Sequence, residues 1–253
     1  MDLQLQGKNA LITGSTKGIG RAIAELLAAE GCNLGICARN QQEVDSAIAE
    51  LATAGVTVVG GSVDINDADA IVQWVDHCAD KLGGIDIVIP NVSAGGTEAT
   101  EPGWKANFDA DLMGTVRCVN AALGYLEQSA AASIVVISST AAIETFAGAG
   151  PYAAMKAALL NYTGNLCQDL AAKGIRVNAV SPGPIFVDGG AWDMIKNTMP
   201  EIYDNTVAAI PLGRMGTATE VAAQVALLAS PMASYTTGTN VVIDGAFTKR
   251  LQF

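Results

Sequence analysis

Lys8-Asn9-Ala10-Leu11-Ile12-Thr13-Gly14-Ser15-Thr16-Lys17-Gly18-Ile19-Gly20 joins an apolar run to a helical pattern through a glycine-rich turn. Residues 8–13 read as a strand and residues 18–30 as a helix. Glycines at 14, 18 and 20 allow a tight turn and let the backbone approach a phosphate closely. The N–H groups that open the following helix, with the positive end of its dipole, favour an anion at the same place. The spacing is not G-x-G-x-x-G, and no Gly-Lys-Ser/Thr closes the loop, so it is not the P-loop of nucleoside triphosphatases.

Working outward, the same strand-then-helix order repeats. Lys8–Thr13, Asn33–Ala38, Val56–Gly60, Asp86–Ile89, Ser133–Ser138, Arg176–Val180 and Asn240–Ile243 read as strands. Ile134-Val135-Val136-Ile137 is a continuous aliphatic run, as in a parallel sheet covered on both faces. The helical stretches are 18–30, 41–54, 67–82, 103–129, 151–173 and 219–229, and Gly31, Gly55, Gly83 and Gly174 follow four of them, as helix C-termini favour. Repeated βαβ units predict an α/β fold: a three-layer, Rossmann-like, doubly wound parallel sheet of about seven strands. The 253 residues fit one domain of this kind, 1–253, and no linker or low-complexity tract divides them. One segment, 183–216, breaks the rhythm. It reads as a substrate-enclosing insertion or as an extra helical pair packed on the core.

Composition removes whole classes of function. Half the residues are hydrophobic, too many for a disordered chain. Fourteen basic against 25 acidic residues leave a net charge of −11, which argues against a nucleic-acid surface. His77 is the single histidine, so metal sites built on several histidines are excluded and no metal is expected. A Ser-His-Asp triad would need His77, and no G-x-S-x-G elbow supplies its serine. The five cysteines are scattered without C-x-x-C, which reads as reduced core thiols. The first residues lack the basic and apolar regions of a signal peptide, and no apolar run reaches membrane-spanning length. A cytoplasmic protein with no membrane partner is the expectation.

The end of the second strand bears on the ligand. An acid there would bind a ribose 2′-hydroxyl, but the run is Cys37-Ala38-Arg39-Asn40. Arg39 can receive a 2′-phosphate, and Lys17 offers a second cation, which favours NADP(H) over NAD(H). A solvated surface arginine is the plain alternative for Arg39. Further on, Tyr152 and Lys156 are four apart at the start of a predicted helix and share a face, and Ser139 ends an apolar strand thirteen residues before the tyrosine. An ammonium beside a phenol stabilises the phenolate, so Tyr152 can exchange a proton with a carbonyl or alcohol oxygen, and Ser139 can hydrogen-bond to the same oxygen.

With these residues in hand, the chain resembles the short-chain dehydrogenase/reductase family over essentially its whole length. Gly14, Ser15, Thr16, Lys17, Gly18, Ile19 and Gly20 match its cofactor loop, and Asp64 with Ile65 matches its adenine contact. Asn91 matches one asparagine of its N-N-A-G motif, and Pro182, Gly183 and Ile185 match its segment beside the nicotinamide. Ser139, Tyr152 and Lys156 match its catalytic serine, tyrosine and lysine, and Thr237-Gly238 followed by Val241–Gly245 matches its last strand. The resemblance implies that Tyr152 and Lys156 also contact the cofactor, and that the protein is a homotetramer acting on a small molecule.

Three positions depart from the pattern. Asp111 stands where the family has a fourth catalytic residue, an asparagine. Pro90 and Val92-Ser93 replace other parts of N-N-A-G, and Val187 replaces a frequent threonine. The expected activity is hydride transfer between NADP(H) and a ketone or secondary alcohol with a hydrophobic or cyclic body. The residues 183–216, Gly95, Gly96, Glu144 and Phe146 are expected to wall the pocket. A 3-oxoacyl-ACP or CoA reductase is the alternative. Such enzymes offer basic residues to an acidic carrier, and Lys173 matches one such position while Ala130 occupies the other. A dinucleotide-binding sensor without catalysis is the third reading, with Asp111 its best support.

Overall fold

A computed structural model describes residues 2–96, 98–145 and 148–250. The strands are β1 (Asn9–Thr13), β2 (Asn33–Ala38), β3 (Val58–Ser62), β4 (Ile87–Ile89), β5 (Ser133–Ile137), β6 (Arg176–Pro182), β7 (Ile185–Phe186), β8 (Gly216–Thr217) and β9 (Asn240–Ile243). The helices are α1 (Gly18–Ala29), α2 (Gln41–Leu51), α3 (Ala68–Leu82), α4 (Glu101–Asn107), α5 (Gly114–Leu126), α6 (Pro151–Leu170), α7 (Ala191–Thr198), α8 (Pro200–Ala209) and α9 (Ala218–Ala229). Seven strands form one parallel sheet in the order β3-β2-β1-β4-β5-β6-β9, while β7 and β8 pair separately.

The continuous apolar strands fold as their sequence dictates. Successive side chains of a strand point to opposite faces. Val135 and Ile137 therefore join Ala10, Ile12, Ile36 and Ile89 in a core roofed by α1, α2 and α9. Ile134 and Val136 join Leu11 and Val88 in a second core under α3, α5 and α6. α9 closes the first layer against α1, and its C-terminal carbonyls are capped from the sheet. Arg176 donates to the carbonyls of Leu228, Ala229 and Ser230, and Ser133 donates to that of Leu228. All five cysteines are free and buried in these layers. Burial pushes the Cys32, Cys78 and Cys118 thiols up to about 12, as core filling requires.

Strand order reverses at β1. β2 and β3 lie on one side of it, β4, β5, β6 and β9 on the other. The connections from β1 and β4 leave in opposite directions, which opens a crevice at their carboxyl ends. The glycine loop and Asn91 sit there.

Three sequence expectations need adjustment. The third strand lies two residues later than Val56–Gly60, because Gly60, Gly61 and Ser62 pair with Ile36, Cys37 and Ala38. The helix expected over 103–129 starts at Glu101, where Thr100 caps it, and is broken by a π-turn over Phe108–Met113. The 183–216 segment does hold a helical pair, α7 and α8, but no residue of either helix is buried, so the pair is not packed into the core. Among the described residues no helix is long and apolar enough to cross a membrane, and no cluster of metal-ligating side chains occurs.

Candidate active site

The crevice at the strand reversal is a cleft with two joined parts. The larger, about 760 Å³, takes in Gly14, Thr16, Lys17, Arg39, Asp64, Ile65 and Asn91. The smaller, about 260 Å³, takes in Ile19, Asn91, Ser139, Tyr152, Lys156, Pro182, Gly183 and Ile185. Asn91 and Ser93 line both. The fold thus gathers into one cleft residues that the sequence scatters from 14 to 185.

The glycine loop is shaped from behind. Gly14 and Gly18 adopt φ of +64° and +59°, where a side chain would be strained. A Cβ on Gly20 would lie 2.2 Å from the Gly14 carbonyl oxygen, so only glycine lets α1 come this close to the loop. Ser15 is fully buried; its hydroxyl donates to the Ile12 carbonyl at 3.0 Å and accepts from the Cys37 N–H at 3.2 Å. Its side chain therefore staples the loop to β1 and β2, and its N–H does the same by donating to the Cys37 carbonyl at 3.2 Å. The Asn91 amide donates to the carbonyls of Thr13 and Gly14, at 3.0 and 3.1 Å, and so ties the loop to the end of β4.

A dinucleotide fits these features. No side chain caps the N-terminus of α1, and the loop that precedes it lines the cleft. Its first-turn N–H groups are open to a pyrophosphate. At the larger end, the exposed Arg39 guanidinium has no hydrogen bond or ion pair among the described residues, and only its backbone carbonyl is engaged, by Ser62. Lys17, by contrast, pairs with Glu43 at 2.7 Å, and Thr16 also donates to that carboxylate. The Lys17 ammonium holds the Glu43 carboxyl below its usual range. Glu43 lines the cleft and was not singled out from the sequence. An acid in the first turn of a helix is commonplace there, favoured by the dipole. Asp64 faces the same part and accepts from the Asn66 N–H at 3.0 Å.

At the smaller end, β5 and α6 position three side chains. Ser139 follows β5 and caps the next short turn, accepting from the Ala141 N–H at 3.1 Å. Among the described residues its own O–H has no acceptor and can donate. Tyr152 and Lys156 lie one turn apart in α6, with the ammonium 5.7 Å from the centre of the phenol ring. Ser138 pins the helix to the strand by donating to the Lys156 carbonyl at 3.0 Å.

Lys156 is almost wholly buried, and the structure shows what compensates its charge. Its ammonium donates to the Ile137 carbonyl at 3.1 Å and pairs with Asp111 at 3.3 Å. Asp111 is completely buried and lines neither part of the cleft. Its Oδ1 accepts from Ser93 at 2.6 Å; its Oδ2 accepts from the Ala94 N–H at 2.9 Å and the Asn107 amide at 3.1 Å. The π-turn carries Asp111, and π-turns are frequent at functional sites. Expected from the sequence as a catalytic residue, Asp111 lies behind Lys156, against its ammonium and outside the lining of the cleft. Of the two side chains that hold it, Ser93 shows in the sequence only as a departure from the N-N-A-G pattern, and Asn107 carries no signal of its own.

The expected pocket wall is only partly right. Ala191 and Trp192 of α7 line the smaller part, together with Ile137 and Ile185. Gly95, Gly96 and Glu144 do not. The Glu144 carboxylate is turned to the C-terminal segment, where it accepts from the Lys249 N–H. Phe146 lies outside the described residues. Chemically, the narrow end can protonate or deprotonate an oxygen beside a polarising hydroxyl, and the wide end can hold a nucleotide phosphate.

Known proteins are similar to the chain in sequence and in fold. The family model described as Enoyl-(Acyl carrier protein) reductase matches residues 14–248. Isoepoxydon dehydrogenase patN of Penicillium expansum is 40% identical over 98% of both chains. Its counterpart in Aspergillus clavatus is 41% identical over the same shares. Among solved structures, the L-sorbose reductase of Gluconobacter frateurii, complexed with NADPH and L-sorbose, is similar with a TM-score of 0.91 and 27% identity. The match covers 99% of this chain and 100% of that one.

Proposed function

The chain belongs to the short-chain dehydrogenase/reductase family, and from that premise we propose an NADP(H)-dependent enzyme that interconverts a compact ketone and its secondary alcohol. NAD(P)-dependent oxidoreduction is the family's activity. The observation that carries the finer reading is the convergence of Ser139, Tyr152 and Lys156 at the narrow end of the cleft, below a free Arg39 at the wide end.

The cofactor would lie between the glycine loop, Arg39, Asp64, Asn91, Lys156 and the Pro182–Ile185 segment, and when bound it supplies or takes the hydride. The protein moves the proton. In reduction, Tyr152 gives its O–H proton to the carbonyl oxygen, and in oxidation it takes the proton from the alcohol. Ser139 donates to that oxygen as negative charge grows on it. The Lys156 ammonium stabilises the phenolate left on Tyr152, and Asp111 with the Ile137 carbonyl keeps the ammonium in place. The apolar wall of Ile137, Ile185, Ala191 and Trp192 excludes water and suits a hydrophobic or cyclic body.

This reading gives a direct test. Arg39 should form charge-assisted bonds to a 2′-phosphate, worth about 1.5–3 kcal/mol. NADPH should then be preferred over NADH by at least about tenfold in kcat/KM, and Arg39→Asp should erase or reverse the preference. Steady-state rates of reduction of a series of cyclic ketones with NADPH and NADH, and of oxidation of isoepoxydon with NADP+ and NAD+, measure it. Equal use of the two cofactors by the native enzyme refutes the preference.

Two observations weigh against the alternatives. Lys173, the basic residue expected to meet an acidic carrier, is already paired with Glu127 at 2.6 Å. The intact Ser139, Tyr152 and Lys156 oppose a sensor without catalysis. For assembly we propose a homotetramer. The first half of α6 leaves apolar side chains uncovered: Ala154 is exposed, and Ala153, Met155, Ala157, Ala158 and Leu160 are only half-buried. Such a helix is normally covered. Sedimentation at micromolar concentration should give one tetrameric species of closed symmetry; a monomer refutes it.

A further inference from the structure

Glu43 stands in the wall of the cleft, paired with one of the two cations that would meet a 2′-phosphate. Lys17 donates to its Oε1 at 2.7 Å and Thr16 to its Oε2 at 3.3 Å. Thr16, Lys17, Arg39, Asn40 and Glu43 all line this end of the cleft. The acid is held from behind, because the Asn40 side chain accepts from the N–H groups of Gln42 and Glu43 and so fixes the first turn of α2. Its place there is set by the backbone, not by the ion pair alone.

We propose that Glu43 is a specificity-determining residue, an anion that opposes the 2′-phosphate and so limits how strongly Arg39 and Lys17 favour NADPH over NADH. The proposal rests on the NADP(H) reading above. A phosphate monoester carries about −1.5 to −2 charges near neutral pH, whereas a ribose hydroxyl carries none. Arg39 attracts that extra charge and Glu43 repels it. Lys17 is shared: one of its three N–H donors goes to Glu43, whose charge offsets part of the attraction the ammonium offers a phosphate. The side chains of Lys17 and Glu43 are 75% and 33% exposed, so water screens the repulsion and keeps it moderate.

The test is a binding titration of the full chain, native and Glu43→Gln, with NADPH and separately with NADH, followed by cofactor fluorescence. Glutamine keeps the length and one acceptor for Lys17 while removing the charge. NADPH should bind about three- to tenfold more tightly to the variant, and the gain should shrink as salt is raised. NADH should change by less than about twofold, because a neutral hydroxyl feels little of the lost charge. Unchanged or weaker NADPH binding overturns the proposal, since Glu43 would then merely support Lys17. An equal gain for both cofactors also overturns it. Native protein that binds both cofactors equally refutes the NADP(H) preference but leaves this test intact, because each change is read within one cofactor.

Discussion

Tyr152→Phe should lower turnover about 10²–10⁴-fold, the usual share of a positioned proton donor. The ring and its place beside the Lys156 ammonium are kept, and only the hydroxyl is lost. NADPH affinity should barely change, because the glycine loop and Arg39 supply the charged contacts. Single-turnover rates together with a cofactor titration separate the two effects. Native-like turnover in this variant removes the proton-transfer mechanism, whatever the fold. A sensor would show the opposite pattern, with no turnover to lose in either protein.

Asp111→Asn should cost stability as well as rate. The substitution restores the residue usual in the family, yet this site is built for a carboxylate. Oδ1 accepts from Ser93 and pairs with Lys156, while Oδ2 accepts two N–H donors. An amide has one acceptor oxygen, so its NH₂ must face donors in either orientation. It also leaves the buried ammonium of Lys156 without a counter-charge. Removing one partner of a buried pair costs about 3–5 kcal/mol. For a chain of this size that lowers Tm by roughly 6–20 °C. Turnover should fall with it, because Lys156 loses the contact that fixes its ammonium. Thermal unfolding and steady-state rates check both. A stable, fully active variant would mean that Asp111 only occupies the asparagine's place.

The layers were legible because their signals are local. Aliphatic runs such as Ile134–Ile137, glycines after helices and the turn at Gly14–Gly20 each carry their meaning within a few residues. The third strand was misplaced by two residues because Gly60-Gly61 reads as a turn, and only pairing with β2 makes it a strand. Ser139, Tyr152 and Lys156 were legible from spacing. Their support was not. Ser93 reaches Asp111 across 18 residues, and Lys17 reaches Glu43 across 26. Neither contact leaves a periodic trace. The π-turn was invisible for another reason: Phe108, Ala110, Leu112 and Met113 satisfy an ordinary helical pattern, and the extra residue shows only in the hydrogen bonds.

The partnership of α1 with α9 bears on how the chain acquires its structure. The glycine loop is finished early in synthesis, but the helix it leads into leans on residues that emerge only after Ala218. Until then Ile23, Leu27 and their neighbours have half a roof. Such distant pairing slows folding, since a long stretch of chain must be closed before the contact rewards it. A nascent chain therefore exposes this apolar layer throughout elongation, which is when partly folded chains aggregate. The glycine loop comes first in the sequence, yet the layer beneath its helix is complete only once α9 has been made.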